Sequence, residues 1–483
     1  MNGKAQQGLM RTYILLAMLV LAPFTAPISE AQQPDIVQEH WYHSWATLTY
    51  DIMQWNDDYP EVVKVVSAGT TVLGKNQWVL QITDYSVETK VDGSPKDVVY
   101  IDGGHHGNEH LGTELAFLVA EYYVEGFVAG DEETIGVLQN TELHIMILLN
   151  ADGNDIDNRW NTNAVDLNRN YDHHWTTEET RSGSGPFSEP ETRNNAEYMK
   201  EFASNADLYV TMHTGTWILA FPWGFTGDMP SDWELFTHIA DTIHSDIDAD
   251  LPVQNANAGI YPTHGTSRDY GYGVMGFPTF TFETDDEQFL PGTAQSLSDR
   301  LSVELDVMKY LISNVYFWRA RLNVSDFTLS DSSISATVVN DGLSTTSNAS
   351  LWWFPEDINL SEMNFAENNE FNNTIIDGNR SFSFGKGEGV MLGEIFSVNA
   401  SNSTDIEFNR PDEISDGGTF MLIYQKRVID VSQVVFETIG SEDVSFAEQV
   451  EDENWLGGWG MFDPFSMIFA MLAAAWWLGR TNV

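Results

Sequence analysis

The strongest constraint on the fold is a set of short runs that are apolar almost throughout, not at every second position. Lys96 to Asp102 (KDVVYID), Leu143 to Leu149, Asp207 to Met212 and Phe277 to Phe282 are of this kind. A strand without a polar face must be covered on both sides, as strands are inside a helix-covered sheet. The covering helices are legible between them: Leu111 to Tyr123 has helical period, and Leu297 to Tyr316 reads as one long closing helix. Leu48 to Trp55 reads as a helix ahead of the Tyr59-Pro60 break, and Val62 to Val66 and Trp78 to Ile82 as strands. Residues 40–320 are therefore expected to form an α/β unit, a mixed sheet with helices on both faces. From 321 the texture changes. Strands such as Ser333 to Val339 and Ser350 to Phe354 lie between Asn/Gly/Ser turns, which predicts a small all-β sandwich over 321–441.

The two ends carry different signals. Residues 1–31 read as a secretory signal: Lys4 and Arg11 precede an apolar core, Tyr13 to Pro23, and Ser29-Glu30-Ala31 offers a cleavage site. Residues 442–454 are acidic and read as a stalk. Residues 455–478 are apolar apart from Asp463 and are flanked by Trp455, Trp459, Trp476 and Trp477, the pattern of a C-terminal membrane anchor. An amphipathic tail packed on the protein is the alternative, since the uninterrupted stretch Phe465 to Leu478 is short for a span. The expected location is outside the cell, tethered to the outer face of its membrane. Sequons for N-glycosylation begin at Asn323, Asn348, Asn359, Asn372, Asn379, Asn399 and Asn402, and none falls between 32 and 320. Cysteine is absent, which excludes disulfide scaffolds, thiol proteases and iron–sulfur centres.

Charge narrows the function classes. The chain has 72 acidic and 22 basic side chains, a formal charge of −50, yet only 19% of its residues are charged. It is acidic because Lys and Arg are scarce. That excludes a general nucleic-acid binder, which needs a basic footprint. The plain reading is a surface suited to a saline medium, where salt screens self-repulsion.

The richest segment is Gly103 to Glu114, GGHHGNEHLGTE, set after an apolar strand and before a helix. Open α/β sheets bind ligands at that point. His106 and Glu109, three apart on one turn, can reach one zinc ion, and a catalytic zinc commonly takes two His and one Glu plus an open position. His105 and His110 crowd the same loop and read as neighbours, not ligands. His213, at the end of the run Leu208 to Met212, is a candidate third ligand, although a lone His at a strand end is more often structural. Asp152 to Asp157 has a calcium-loop flavour but lacks the spaced ligands and closing Glu of an EF-hand.

Further motifs follow in order: NADG at Asn150, DLNRN at Asp166, PFSEPE at Pro186 and FTFE at Phe280. Taken together, residues 40–320 resemble the zinc metallocarboxypeptidases of the carboxypeptidase A type. The resemblance implies a zinc carboxypeptidase-like fold, Zn2+ held by His106, Glu109 and His213, and Asp166 as the carboxylate that orients His106. It implies Glu283 as general base and Arg159 as the group that polarises the scissile carbonyl. Asn168 and Arg169 match the pair that holds the substrate's C-terminal carboxylate, and Tyr261 the tyrosine that closes over it. Two positions depart from the family: Asn108 stands where an Arg is common, and Arg268 falls at the base of the side-chain pocket. An Arg there implies preference for acidic C-termini; an Arg turned away and paired with Asp269 is the open alternative.

The expected activity is zinc-dependent removal of the C-terminal residue from extracellular peptides or protein C-termini, with no nucleic-acid partner. A zinc deacylase of the aspartoacylase and succinylglutamate desuccinylase kind is one rival. A non-catalytic surface binding protein on a peptidase fold is the other.

Overall fold

In a computed structural model, the structure describes residues 42–446 apart from 92, 286–292, 356–373, 377–378, 382–389, 413, 415–416, 428–433 and 440–443. The predicted signal at 1–31, the anchor at 455–478 and the stalk over all but 444–446 lie outside the described residues.

Eight strands form one mixed sheet: β1 (Val63–Thr70), β2 (Asn76–Ile82), β3 (Asp97–Gly103), β4 (Thr141–Met146), β5 (Leu208–His213), β6 (Trp217–Phe221), β7 (Val253–Asn255) and β8 (Thr279–Thr284). Their order is β1-β2-β4-β3-β5-β8-β6-β7. The central β4, β3, β5 and β8 run parallel, while β2 on one side and β6 on the other are antiparallel to their inner neighbours. Every residue of β3 and of β5 is buried. Side chains alternate between two cores. Val99, Ile101, Leu208, Val210 and Met212 pack on one face with the helices His110–Ala129, Trp233–Asp246 and Ser302–Ser313. Tyr100, Tyr209 and Phe277 pack on the other with the helix Pro190–Phe202. This is the helix-covered mixed sheet the apolar runs predict.

One element differs. The expected single helix Leu297 to Tyr316 is two, Ala294–Arg300 and Ser302–Ser313, followed by a short 3-10 turn Val315–Phe317. Between them Leu301 leaves the α region at φ −98, ψ 12 while its side chain stays fully buried. Arg300, just before the break, reaches Glu304 at 2.9 Å and Asp285 at 3.1 Å, so the turn ties the helices to the end of β8. Apolar periodicity reports burial, and it runs unbroken through a bend whose pivot is itself buried.

Beyond 321 come β9 (Leu322–Leu329), β10 (Ser333–Asn340), β11 (Thr346–Phe354), the short pair β12 (Thr374–Ile376) and β13 (Asn379–Ser381), β14 (Val390–Val398), β15 (Asn402–Asn409), β16 (Thr419–Gln425), β17 (Val434–Ile439) and β18 (Val444–Phe446). They make two four-stranded sheets, β15-β10-β9-β18 and β14-β11-β16-β17, and one two-stranded pair. The four-stranded sheets share one core through Phe327, Ile334, Val338, Leu351, Trp353 and Leu422, which makes them a sandwich.

The two parts meet at the start of β3 and β5. Asp97, the first residue of β3, accepts from Lys90 at 2.8 Å and Arg321 at 2.5 Å. Asp207, just before β5, accepts from Lys426 at 3.1 Å, with Arg427 at 3.6 Å and Arg319 at 3.8 Å. Both carboxylates are nearly inaccessible. So the same two strands are anchored at one end and open at the other, where the chain turns one way after β3 and the other way after β5. That crevice is the switch point of the sheet.

Candidate active site

His106 and Glu109 follow β3 on the loop 104–109, and His213 is the last residue of β5. Register fixes their neighbourhood: β5 pairs with β8 so that His213 lies beside Glu283. Close approach of the helix His110–Ala129 to β5 needs Gly112, where a Cβ would stand 2.8 Å from the His213 nitrogen. Gly112 also donates its N–H to Thr214, one residue past His213.

The three candidate ligands converge. One atom from each of His106, Glu109 and His213 lies within 4.8 Å of the others, and all three residues are buried. His106 Nδ1 is 2.6 Å from Glu109 Oε1, and His213 Nδ1 is 2.8 Å from Glu109 Oε2. The two Nδ1 atoms face each other at 3.2 Å. Two ring nitrogens and a carboxylate turned inward on one point form a donor set suited to a shared cation, and its composition fits zinc. The outer nitrogen of His106 is bound 2.9 Å from Asp166 Oδ1, which fixes ring orientation and leaves Nδ1 turned inward. Burial lowers the proton affinity of both rings; Glu109 and Asp166 overcome this for His106, raising its pKa to about 9, while that of His213 stays lowered.

The remaining expected residues line the same cavity of about 350 Å3: Arg159, Asn168, Arg169, Tyr261, Arg268 and Glu283. Arg159 bridges Glu109 Oε1 at 2.8 Å and Asp166 Oδ2 at 3.2 Å. Asn168 is held by the Ser267 N–H at 2.9 Å and lies 3.3 Å from His213 Nε2. Tyr261 is half-exposed at 52%, with its hydroxyl 3.4 Å from Arg169 Nη2. Burial raises the pKa of Glu283, and the nearby Glu109 raises it further, against the opposing charges of His106, Arg159 and Arg268.

Arg268 combines a place at the cavity with a pairing to Asp269. It lines the cavity, yet it is only 3% exposed and its Nε donates to Asp269 at 3.0 Å. Its other nitrogens donate to Thr281 at 3.2 Å and Thr263 at 3.3 Å. Asp269 is fixed in turn by the N–H groups of Gly224 and Phe225. The guanidinium is thus clamped from behind and presented toward the cavity.

His105 and His110 stand outside the ligand set. His105 hydrogen-bonds Tyr171 at 2.8 Å and stacks on His213; His110 pairs with Asp157 at 3.0 Å and stacks on Tyr42. Asp152 and Asp155 both engage Lys75, so the segment Asp152 to Asp157 is laced to the protein. Sequence reasoning missed Glu179, Thr263 and Thr281. Thr281 sits inside the FTFE run without being singled out, and Glu179 meets His264 across 85 positions, beyond the reach of any spaced motif.

The sequence profile of the family described as zinc carboxypeptidase matches residues 49–299, just over half the chain. The chain belongs to the zinc carboxypeptidase family. Its relatives include carboxypeptidase B of Astacus astacus, 27% identical over 273 residues, covering 51% of this chain and 86% of the relative. Carboxypeptidase O of Bos taurus is 25% identical over 322 residues, covering 58% and 83%. Among solved structures, carboxypeptidase A from Helicoverpa armigera aligns at 20% identity with a TM-score of 0.49, over 63% of this chain and 81% of that one. This zinc carboxypeptidase is accordingly a hydrolase of peptide bonds that acts at the C-termini of peptides or proteins, and its family implies Zn2+.

Proposed function

We propose that the enzyme is a zinc-dependent exopeptidase that releases single C-terminal residues and prefers acidic ones. The observation that carries this is one cavity lined by His106, Glu109, a further carboxylate and an Asn-Arg pair, with His213 completing a His-Glu-His donor set beside it. His106, Glu109 and His213 would hold the metal. Bound zinc supplies Lewis-acid polarisation of the carbonyl and lowers the pKa of water. Glu283 takes a proton from the attacking water as the oxygen bonds to the carbonyl carbon. It then delivers that proton to the leaving amine as the C–N bond breaks. Arg159 stabilises the negative charge that develops on the carbonyl oxygen. Asn168 and Arg169 bind the terminal carboxylate, for which the planar fork of Arg is suited, and Tyr261 closes over the bound residue.

The acidic preference rests on Arg268. Its charge is shared with Asp269 but its Nη atoms are turned to neutral hydroxyls at the cavity wall. A substrate carboxylate there makes a charge-assisted hydrogen bond that an apolar side chain does not. The signal-like residues 1–31 and the apolar residues 455–478 support an exported enzyme held at the outer face of the membrane. Among the described residues, no helix is long and apolar enough to cross one.

The test is a panel of short peptides differing only in the C-terminal residue, assayed with and without chelator. Release of free C-terminal Glu or Asp, abolished by chelator and restored by zinc, is expected. Cleavage of acyl-amino acids in place of peptides would move the assignment to the deacylase reading. Zinc binding without any turnover would move it to the binding-protein reading.

A further inference from the structure

Glu179 is a carboxylate placed behind the substrate clamp, and it touches two separate elements of the cavity wall. Its Oε2 lies 3.5 Å from Arg169 Nε, and its Oε1 accepts from the His264 N–H at 3.0 Å with His264 Nδ1 at 3.1 Å. The other nitrogens of Arg169 are placed too: Nη1 donates to the Asn168 carbonyl at 2.7 Å, and Nη2 faces the Tyr261 hydroxyl at 3.4 Å. Glu179 therefore fixes the back edge of the guanidinium and leaves its Nη edge toward the cavity.

The second contact sets the segment that carries Tyr261. Residues 260–266 hang between fixed points. Ile260 donates to Ala256 at 2.9 Å on one side; Thr263 donates to Gly224 at 3.0 Å on the other. Gly265 then closes onto the clamp: its carbonyl accepts from Tyr171 at 2.9 Å. It holds φ +64, where a Cβ would meet the Arg169 carbonyl oxygen at 2.7 Å, so only glycine fits. His264, next to it, is latched by Glu179. One acidic side chain thus joins the residue that binds the terminal carboxylate to the strap bearing the residue that closes over it.

We propose that Glu179 is a positioning residue that sets the geometry of the Arg169–Tyr261 clamp for the substrate's C-terminal carboxylate. The inference rests on the carboxypeptidase reading above. A simple loop-stabilising role is the rival, because Glu179 is part-buried and also ties down the His264 backbone. The two differ in what they disturb. A clamp residue changes binding of the free C-terminus. A loop brace changes stability and turnover of every substrate.

The experiment is steady-state kinetics of Glu179→Gln, Arg169→Gln and the double variant on one peptide with a free C-terminus and on the same peptide amidated. Glu179→Gln is expected to raise KM for the free peptide about tenfold with kcat within about twofold, the signature of lost uniform binding, and to leave the amidated peptide and Tm unchanged. In the Arg169→Gln background, it is expected to add nothing. Equal effects on both peptides, additivity with Arg169→Gln, or an unchanged KM would overturn the proposal. If Glu179→Gln does not fold, His264→Ala is expected to give the same selective rise in KM, about threefold for one lost hydrogen bond, and no selectivity overturns the proposal. Failure of the wild-type enzyme to release any C-terminal residue would instead refute the carboxypeptidase reading itself.

Discussion

The two ends of β3 and β5 invite comparison, because each gathers scarce cations around buried carboxylates to opposite effect. At the carboxyl ends Arg159, Arg169 and Arg268 each have an acidic partner behind them and a cavity in front. At the amino ends Lys90, Arg319, Arg321, Lys426 and Arg427, five of the chain's 22 cations, surround Asp97 and Asp207. There the charges are spent on one another and on backbone carbonyls; Arg427, for example, donates to Trp318 and Gly276. The difference teaches that in a chain of −50 being paired does not separate a functional cation from a structural one; lining a cavity does. Where the cation meets only protein, the same residue type is an anchor.

The sharpest way to test that contrast is to damage each end separately. Glu283→Gln is expected to lower kcat by about 10²–10⁴, the range for losing a general acid–base group. Zinc content and Tm should be unchanged. Turnover preserved with zinc bound would remove Glu283 from the chemistry. At the other end, Asp207→Asn removes the carboxylate shared by Lys426, Arg319 and Arg427. Breaking a buried pair from one side costs about 3–5 kcal/mol, so thermal unfolding should shift strongly downward. The folded enzyme should keep its kcat/KM. Loss of activity without loss of stability would collapse the distinction between anchor and site.

A subtler break concerns specificity. Arg268→Asp should move the preferred C-terminal residue from acidic to basic by about 10–100-fold in kcat/KM, the span of making or losing one charge-assisted hydrogen bond. Peptide competition assays measure it directly. An unchanged ranking would mean that Asp269 has already neutralised Arg268 and that the pocket is read by its threonines.

How much of this was legible beforehand follows from the range of the signals. The apolar runs around Val99 and Val210 announce doubly covered strands because burial writes itself into every residue of the run. The ligand pair His106 and Glu109 shows because both sit on one turn, three positions apart. Asp207 and Lys426 meet across 219 positions, and Arg321 and Asp97 across 224. No local pattern distinguishes such residues from solvated charge, so the junction was invisible. Arg268 was half-legible: its place in the motif order pointed to the pocket, but only the fold shows that Asp269, Thr263 and Thr281 hold it there. The bend at Leu301 leaves no mark in the sequence because Leu301 continues the apolar period of Leu297 and Leu305.

The smallest expected effect separates the two ends by pH. Burial, with Arg319 and Arg427 close by, lowers the pKa of Lys426 to about 8 against the opposing charge of Asp207. In the unfolded chain the same ammonium titrates near about 10.4. Between those values the unfolded state binds more protons than the folded one, so stability gains with rising pH through that window. Below about pH 8 both states are protonated and the contribution is flat. Lys426→Met removes the titrating group but keeps the aliphatic stem. Relative to this variant, the wild-type Tm should therefore climb between about pH 8 and 10, by a slope of at most one proton. The comparison is internal, so other titrations cancel. A wild-type curve that runs parallel to that of Lys426→Met would show that Asp207 keeps the lysine charged, and that this cation is held as firmly as the arginines beside it.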